Sequence, residues 1–208
     1  MEMLILRKFN QMLKTRIKVS KVENLTDARY FAAMGADYLG FCCNTGTEYF
    51  CSPARIKEIA SWVEGPVIVP EFEGWQEESE VRELLESGIG GAVHFGILAD
   101  YTGRFGVPVF RDFIFENTIA GEAVAGTEFP VIRTDTPYSS LNDDSIKRIQ
   151  SLALQHKVFL DLPFQADELS EILEKLPVYG LILRGGKEEK TGFKSFAEMD
   201  RIFMLLET

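Results

Sequence analysis

The sequence has little of what metal and redox sites are built from. It carries two histidines, His94 and His156, and three cysteines, Cys42, Cys43 and Cys51, with no CxxC pair and no Cys/His cluster. Structural zinc needs several such ligands at short spacing, so no metal site is expected. Adjacent Cys42 and Cys43 would point to opposite faces of a strand, which prevents them from sharing an ion. Three cysteines crowded together also differ from the even, dispersed set of an oxidised scaffold. No apolar run reaches the roughly 18–20 residues of a membrane helix. The opening MEMLILRKFNQMLKTRIK is too polar for a secretory core. The expectation is a cytoplasmic protein without a membrane partner. Basic charge is short too: 22 Lys and Arg face 32 Asp and Glu, a net −10. Nucleic-acid binding needs a basic face to displace counterions, so none is expected. An anionic ligand would need a local positive pocket inside a repelling field.

What is present is a rhythm of short apolar runs, turns and amphipathic stretches. The runs read as strands are Ile17–Val19, Tyr38–Cys43, Val67–Phe72, Gly91–Phe95, Val107–Phe115, Val131–Asp135, Lys157–Leu162 and Tyr179–Arg184. Between them, helices are expected over Asn24–Met34, Ser52–Val63, Gln76–Glu86, Leu141–Gln155, Ala166–Lys175 and Phe196–Leu206. Thr26 is a candidate N-cap and Gly35 a stop for the first; Pro53 suits the first turn of the second. Ile97–Arg104 and Glu116–Glu128 read poorly as helices. Alternating strands and helices imply parallel pairing with right-handed crossovers. The fold class is therefore α/β: a single (β/α)8 TIM barrel over residues 16–208, with one or two helices degenerate. The rival is an open doubly wound sheet, whose dinucleotide form is disfavoured because no GxGxxG follows the first strand. Residues 1–15 form a short N-terminal extension. Leu4, Ile5, Phe9, Met12 and Leu13 recur there at helical spacing, suited to capping the barrel floor or to a homodimer contact.

Several segments resemble one family. TDARYFAAMGADYLGF, residues 26–41, resembles the first helix and second strand of phosphoribosylanthranilate isomerases. KVSKV, residues 18–22, sits where that family carries a KICGI-like first strand, and CSPARIKEI, residues 51–59, is similar to its Val-Ser-Pro helix opening. VIVP at 67–70 matches the third strand in character, and Tyr179–Gly186 followed by GFK at 192–194 resembles the last strand and its Gly-Val-Lys segment. The likeness covers residues 16–74 and 178–204 and is faint between them.

The resemblance implies an Amadori rearrangement in tryptophan biosynthesis, a small phosphorylated or carboxylate substrate, and no cofactor. Two proton transfers are needed, one to the ring oxygen and one from C2. In the family an aspartate ending the sixth strand is the acid and a cysteine ending the first is the base. Asp135 occupies the position matching the acid, although Asp135-Thr136-Pro137 is also ordinary turn chemistry. Ser20 stands where the cysteine belongs, and a serine hydroxyl lacks the accessible pKa of a thiol. Lys21 replaces a glycine and adds bulk near the mouth. The arginine implied for the anthranilate carboxylate gives way to the region Thr47-Glu48-Tyr49. The fourth-strand histidine is displaced by one, to His94, which reverses its face and suits a packed or rim histidine rather than a ligand. For phosphate, Asp161-Leu162-Pro163 and Thr136–Ser140 are poor cradles, whereas Arg184, Gly185, Gly186 and Lys187 keep two glycines between cations. Asp135 and Ser20 are thus the catalytic candidates, and Arg184–Lys187 the ligand-binding candidate. These departures predict impaired or altered isomerase activity. Another reading is a non-catalytic barrel that binds a small anionic ligand or a protein partner.

Overall fold

The computed structural model describes residues 13–99, 104–117, 127–184 and 196–207. Eight parallel strands close in sequence order: β1 Arg16–Ser20, β2 Tyr38–Cys42, β3 Val67–Phe72, β4 Val93–Phe95, β5 Val109–Ile114, β6 Phe129–Arg133, β7 Phe159–Asp161 and β8 Gly180–Arg184. Closure is made by β1 against β8, in register from Arg16↔Gly180 to Ser20↔Arg184. The expected (β/α)8 barrel is therefore present, and the open sheet is excluded.

Six α-helices are found among the described residues: α1 Leu25–Ala33, α2 Pro53–Ala60, α3 Glu78–Glu86, α4 Asp143–Gln155, α5 Leu169–Lys175 and α6 Ala197–Leu206. Their starts follow from local chemistry. Asn24, Ser52 and Asn142 each accept a backbone N–H of the first turn. Asn24 takes the capping role expected of Thr26. Gly35 stops α1 with φ 85°, a conformation costly to any side chain with a Cβ. The weak stretches between β4 and β6 contribute a single 3-10 turn, Phe115–Asn117, among described residues. The helical pattern in the N-terminal extension, except Leu13, falls on residues 1–12, outside the described residues. Leu13 bridges antiparallel to Glu207, which brings the two ends of the described chain together.

Two apolar cores result. One lies between barrel and helices, and includes Ile17, Phe31, Leu39, Ile56, Leu169 and Phe203. The other fills the barrel itself with Val69, Ala92, Phe110, Phe129, Val131, Phe159 and Ile182. Phe110 lies 4.8 Å from Phe129 and 5.0 Å from Phe159, ring centre to ring centre, so the lower interior is a packed aromatic plug.

One strand boundary matters for function. The apolar pattern places the sixth strand at Val131–Asp135, yet β6 runs two residues earlier. Pro130 argues for a start after it, because proline donates no N–H. Burying Phe129 against Phe110 outweighs that loss, and the strand ends at Arg133.

Candidate functional site

Side chains alternate along each strand, and in-register neighbours of a parallel sheet share a face. Glu71 pairs with His94 in register, and Phe110 with Phe129, so one alternating set points into the barrel. At the C-terminal mouth that set reads Lys18 and Ser20 from β1, Glu71 from β3, His94 from β4, Asp112 from β5, Arg133 from β6, Asp161 from β7 and Arg184 from β8. All of these except Lys18, which lies one layer deeper, border a hollow of about 20 Å³ together with Lys21 and Glu73.

Glu71 is the hub. Lys18, fully buried, makes a close ion pair with its Oε1 and donates to Ser20 Oγ at 2.7 Å. Ser20 Oγ donates to the same Oε1 at 2.7 Å, and the Lys21 N–H donates to Oε2 at 3.1 Å. His94 Nδ1 stands 3.5 Å from Oε1. Burial pushes the Glu71 carboxyl up, but the Lys18 charge and the His94 contacts outweigh it and hold it below the usual carboxylate range.

From His94 the network continues around the wall. Its Nε2 donates to Asp112 Oδ1 at 2.8 Å, and Arg133 Nη1 donates to Asp112 Oδ2 at 3.1 Å. Arg133 Nε faces Asp161 Oδ2 at 3.7 Å, and Arg184 Nη2 donates to that oxygen at 2.6 Å. Burial and the Lys18 charge push the imidazole down; Asp112 and the hydrogen bonds to both carboxylates prevail and raise it. Burial also raises the Asp112 carboxyl, against which His94 and Arg133 act more strongly and lower it. Among the described residues no buried side-chain nitrogen or oxygen lacks a partner.

At the rim, Lys21 adopts φ 58°, the left-handed conformation a glycine takes freely. Its ammonium pairs with Glu73 at 2.9 Å and lies 4.7 Å from the Tyr49 ring centre. The sequence reading of added bulk at the mouth thus corresponds to an ordered strap over one edge.

The catalytic candidates are not brought together. Ser20 faces the hollow and is 6% exposed. Asp135 is exposed, two residues past the end of β6, and is not among the residues bordering the hollow, where Arg133 stands instead. The shift of β6 is the physical reason. His94 also corrects an expectation: it faces inward, because strand register with Glu71 sets its direction rather than its offset from a motif. Arg184 lines the mouth with its guanidinium engaged by Asp161; Gly185, Gly186 and Lys187 lie outside the described residues. Sequence reading missed Lys18, Glu71, Asp112, Arg133 and Asp161 as site residues. The available signal was charge inside otherwise apolar runs, since both faces of a parallel barrel strand are covered.

No protein-family model matches the sequence, and no curated protein matches it. Solved structures do. Phosphoribosylanthranilate isomerase from Thermus thermophilus superposes with a TM-score of 0.73 at 24% identity, over 91% of this chain and 97% of that one. The enzyme from Thermotoga maritima gives 0.73 at 16% identity, over 90% and 96%. A phosphoribosylanthranilate isomerase in complex with reduced 1-(o-carboxyphenylamino)-1-deoxyribulose 5-phosphate gives 0.72 at 16%, over 91% and 96%. The chain has the phosphoribosylanthranilate isomerase fold. The mouth of this barrel is occupied by its own paired charges. Among the described residues no group of His, Cys, Asp and Glu is arranged to hold a metal ion, and no helix is long and apolar enough to cross a membrane.

Proposed function

We propose that this chain is a diverged phosphoribosylanthranilate isomerase relative, with tryptophan biosynthesis as its ancestral context, whose isomerase chemistry is impaired. The observation that carries this reading is the position of Ser20 between Lys18 and Glu71. A C2 proton needs a base, and the hydroxyl has its proton committed to a carboxylate and its lone pair to an ammonium. A thiol of pKa about 8.5 can be tuned toward neutrality, and a serine hydroxyl cannot follow it there. Glu71 is itself a weak base, held below the ordinary carboxylate range. The hollow of about 20 Å³ has room for about one water, whereas small-molecule pockets run to roughly 300–1,000 Å³. Asp135 is not among the residues bordering the hollow, and the carboxylates that are, Glu71, Asp112 and Asp161, are each engaged by a cation.

The test is consumption of phosphoribosylanthranilate, followed by its fluorescence, with the parent protein, Ser20→Cys, and Ser20→Cys combined with Lys21→Gly. All three are expected to match the buffer control. Turnover by the parent would defeat the reading outright. Turnover gained by Ser20→Cys alone would mean that only the base is missing and that the charged mouth opens for substrate.

A further inference from the structure

Three large apolar side chains stand out on the rim of the barrel. Trp75 is 65% exposed, Ile97 51% and Leu98 73%. Trp75 lies in the loop after β3, and Ile97 and Leu98 in the loop after β4. The two loops touch at their bases. The Gly96 N–H donates to Phe72 O at 2.8 Å, and a Cβ on Gly96 would lie 2.8 Å from Glu73 Cα. Single exposed leucines are ordinary; large apolar side chains on adjoining loops are the pattern of an interaction surface.

Both loops are held in place. The Ala99 N–H donates to Gly96 O at 3.2 Å, so Ile97 and Leu98 occupy the central positions of a tight turn. Those positions usually go to proline, glycine, asparagine or aspartate. Buried Ala99 anchors the turn, and Arg111 Nη2 donates to its carbonyl at 2.6 Å. In the neighbouring loop Asn44 Oδ1 accepts the N–H of Glu73 at 2.6 Å and of Gly74 at 3.4 Å. Side chains on a fixed backbone lose little freedom when a partner covers them.

Topology and charge select the partner. A closed barrel has no strand edge for an added strand to pair with, whereas a helix can lie across the rim. Beside Trp75, Glu77 is exposed, and α3 goes on to expose Glu80, Glu83 and Glu86. Lys21 is engaged by Glu73 and Arg82 by Glu78, while Arg104 stands exposed. Residues 100–103 and 118–126, which follow β4 and β5 outside the described residues, contain Asp100 and Glu122 and no lysine or arginine. A net charge of −10 repels a second copy and attracts a cation.

We propose that this rim docks a basic amphipathic helix of a partner protein. The apolar stripe of the helix covers Trp75, Ile97 and Leu98, and its lysines or arginines face the α3 carboxylates. None of the three anchors borders the charged hollow, so docking does not depend on whether isomerase chemistry survives.

The test uses Trp62→Phe, which leaves Trp75 as the single tryptophan and its emission as the reporter of burial. Three tryptophan-free peptides of about 18 residues are titrated at low salt. One has leucines at helical spacing among lysines, one is the same composition scrambled, and one replaces lysine with glutamate. The first is expected to shift the emission to the blue and to saturate. The scrambled peptide should bind about tenfold more weakly, and the acidic one not at all. Leu98→Ser should weaken the first about tenfold at an unchanged melting temperature, because its side chain is exposed. Leu154→Ser, at an exposed leucine on α4, should bind as the parent does. Equal binding of the ordered and scrambled peptides would reduce the attraction to charge and overturn the proposal. So would silence from all three, or equal losses in Leu98→Ser and Leu154→Ser. A sedimentation mass of two chains that falls to one in Leu98→Ser would give the surface to a second copy and overturn it too.

Discussion

Glu71 reaches Lys18 and Ser20 across an intervening strand. It stands on β3 and they stand on β1, with β2 between. The passage is open because Gly40 on β2 has no side chain: a Cβ built there would lie 2.0 Å from Glu71 Oε1. A carboxylate tip can usually swing aside, but this one is held by four partners, and moving it strands the ammonium of a fully buried lysine. Breaking a buried ion pair on one side costs about 3–5 kcal/mol. Gly40→Ala should therefore lower the urea unfolding free energy by about 3 kcal/mol. In a Glu71→Ala background the same change should cost under about 1 kcal/mol, since the clash has gone; equal costs in both backgrounds would place the role of Gly40 elsewhere. The glycine was visible in the sequence, inside a strand. Its reason was not, because the atom it makes room for comes from thirty-one positions further along the chain.

At the scale of elements, the strand ends form a belt of alternating charge: Lys18, Glu71, His94, Asp112, Arg133, Asp161, Arg184. Strand existence and order were legible because apolar runs alternate with amphipathic stretches at the right spacing. Strand ends were less so. The sixth strand ends two residues before Asp135, so Arg133 borders the hollow where an aspartate was expected. The belt also sets a pH window. His94 is raised above its unfolded value, so its contribution is complete below about pH 6.5 and is lost as pH rises through the folded value. Glu71 and Asp112 are lowered, so theirs is complete above about pH 4.5 and is lost as pH falls through their folded values. Stability measured by urea midpoint should peak between those limits. The groups facing His94 are Glu71, Asp112 and, through the shared carboxylates, Lys18 and Arg133. In His94→Gln the fall on the alkaline side should flatten; if it persists unchanged, another group titrates there.

The whole molecule joins what the sequence keeps apart. The charged belt draws on seven of the eight strands, so no window of the sequence contains more than a fragment of it, and a net charge of −10 gives no hint that paired opposite charges gather at one end. Closure has the same character. β1 and β8 pair over five residues, and just beyond them the Lys14 N–H donates to Leu206 O at 2.8 Å while Leu13 bridges Glu207. The described ends therefore touch, as is common in single domains that tolerate rearranged connectivity. A permuted chain should fold: Glu207 joined to Leu13 through a linker of about four residues, with new ends opened between Glu64 and Gly65. That turn joins α2 to β3 at the end of the barrel remote from the mouth; both residues are exposed, and a Cβ on Gly65 would meet nothing within 4 Å. The pairing of β2 with β3 and of β1 with β8 is left whole. The expected result is a single cooperative thermal transition within about 5 °C of the parent and the same far-ultraviolet circular dichroism. A permutant that unfolds early or in two steps would mean that the omitted residues 1–12 hold the barrel closed, and that strand pairing alone is insufficient to do so.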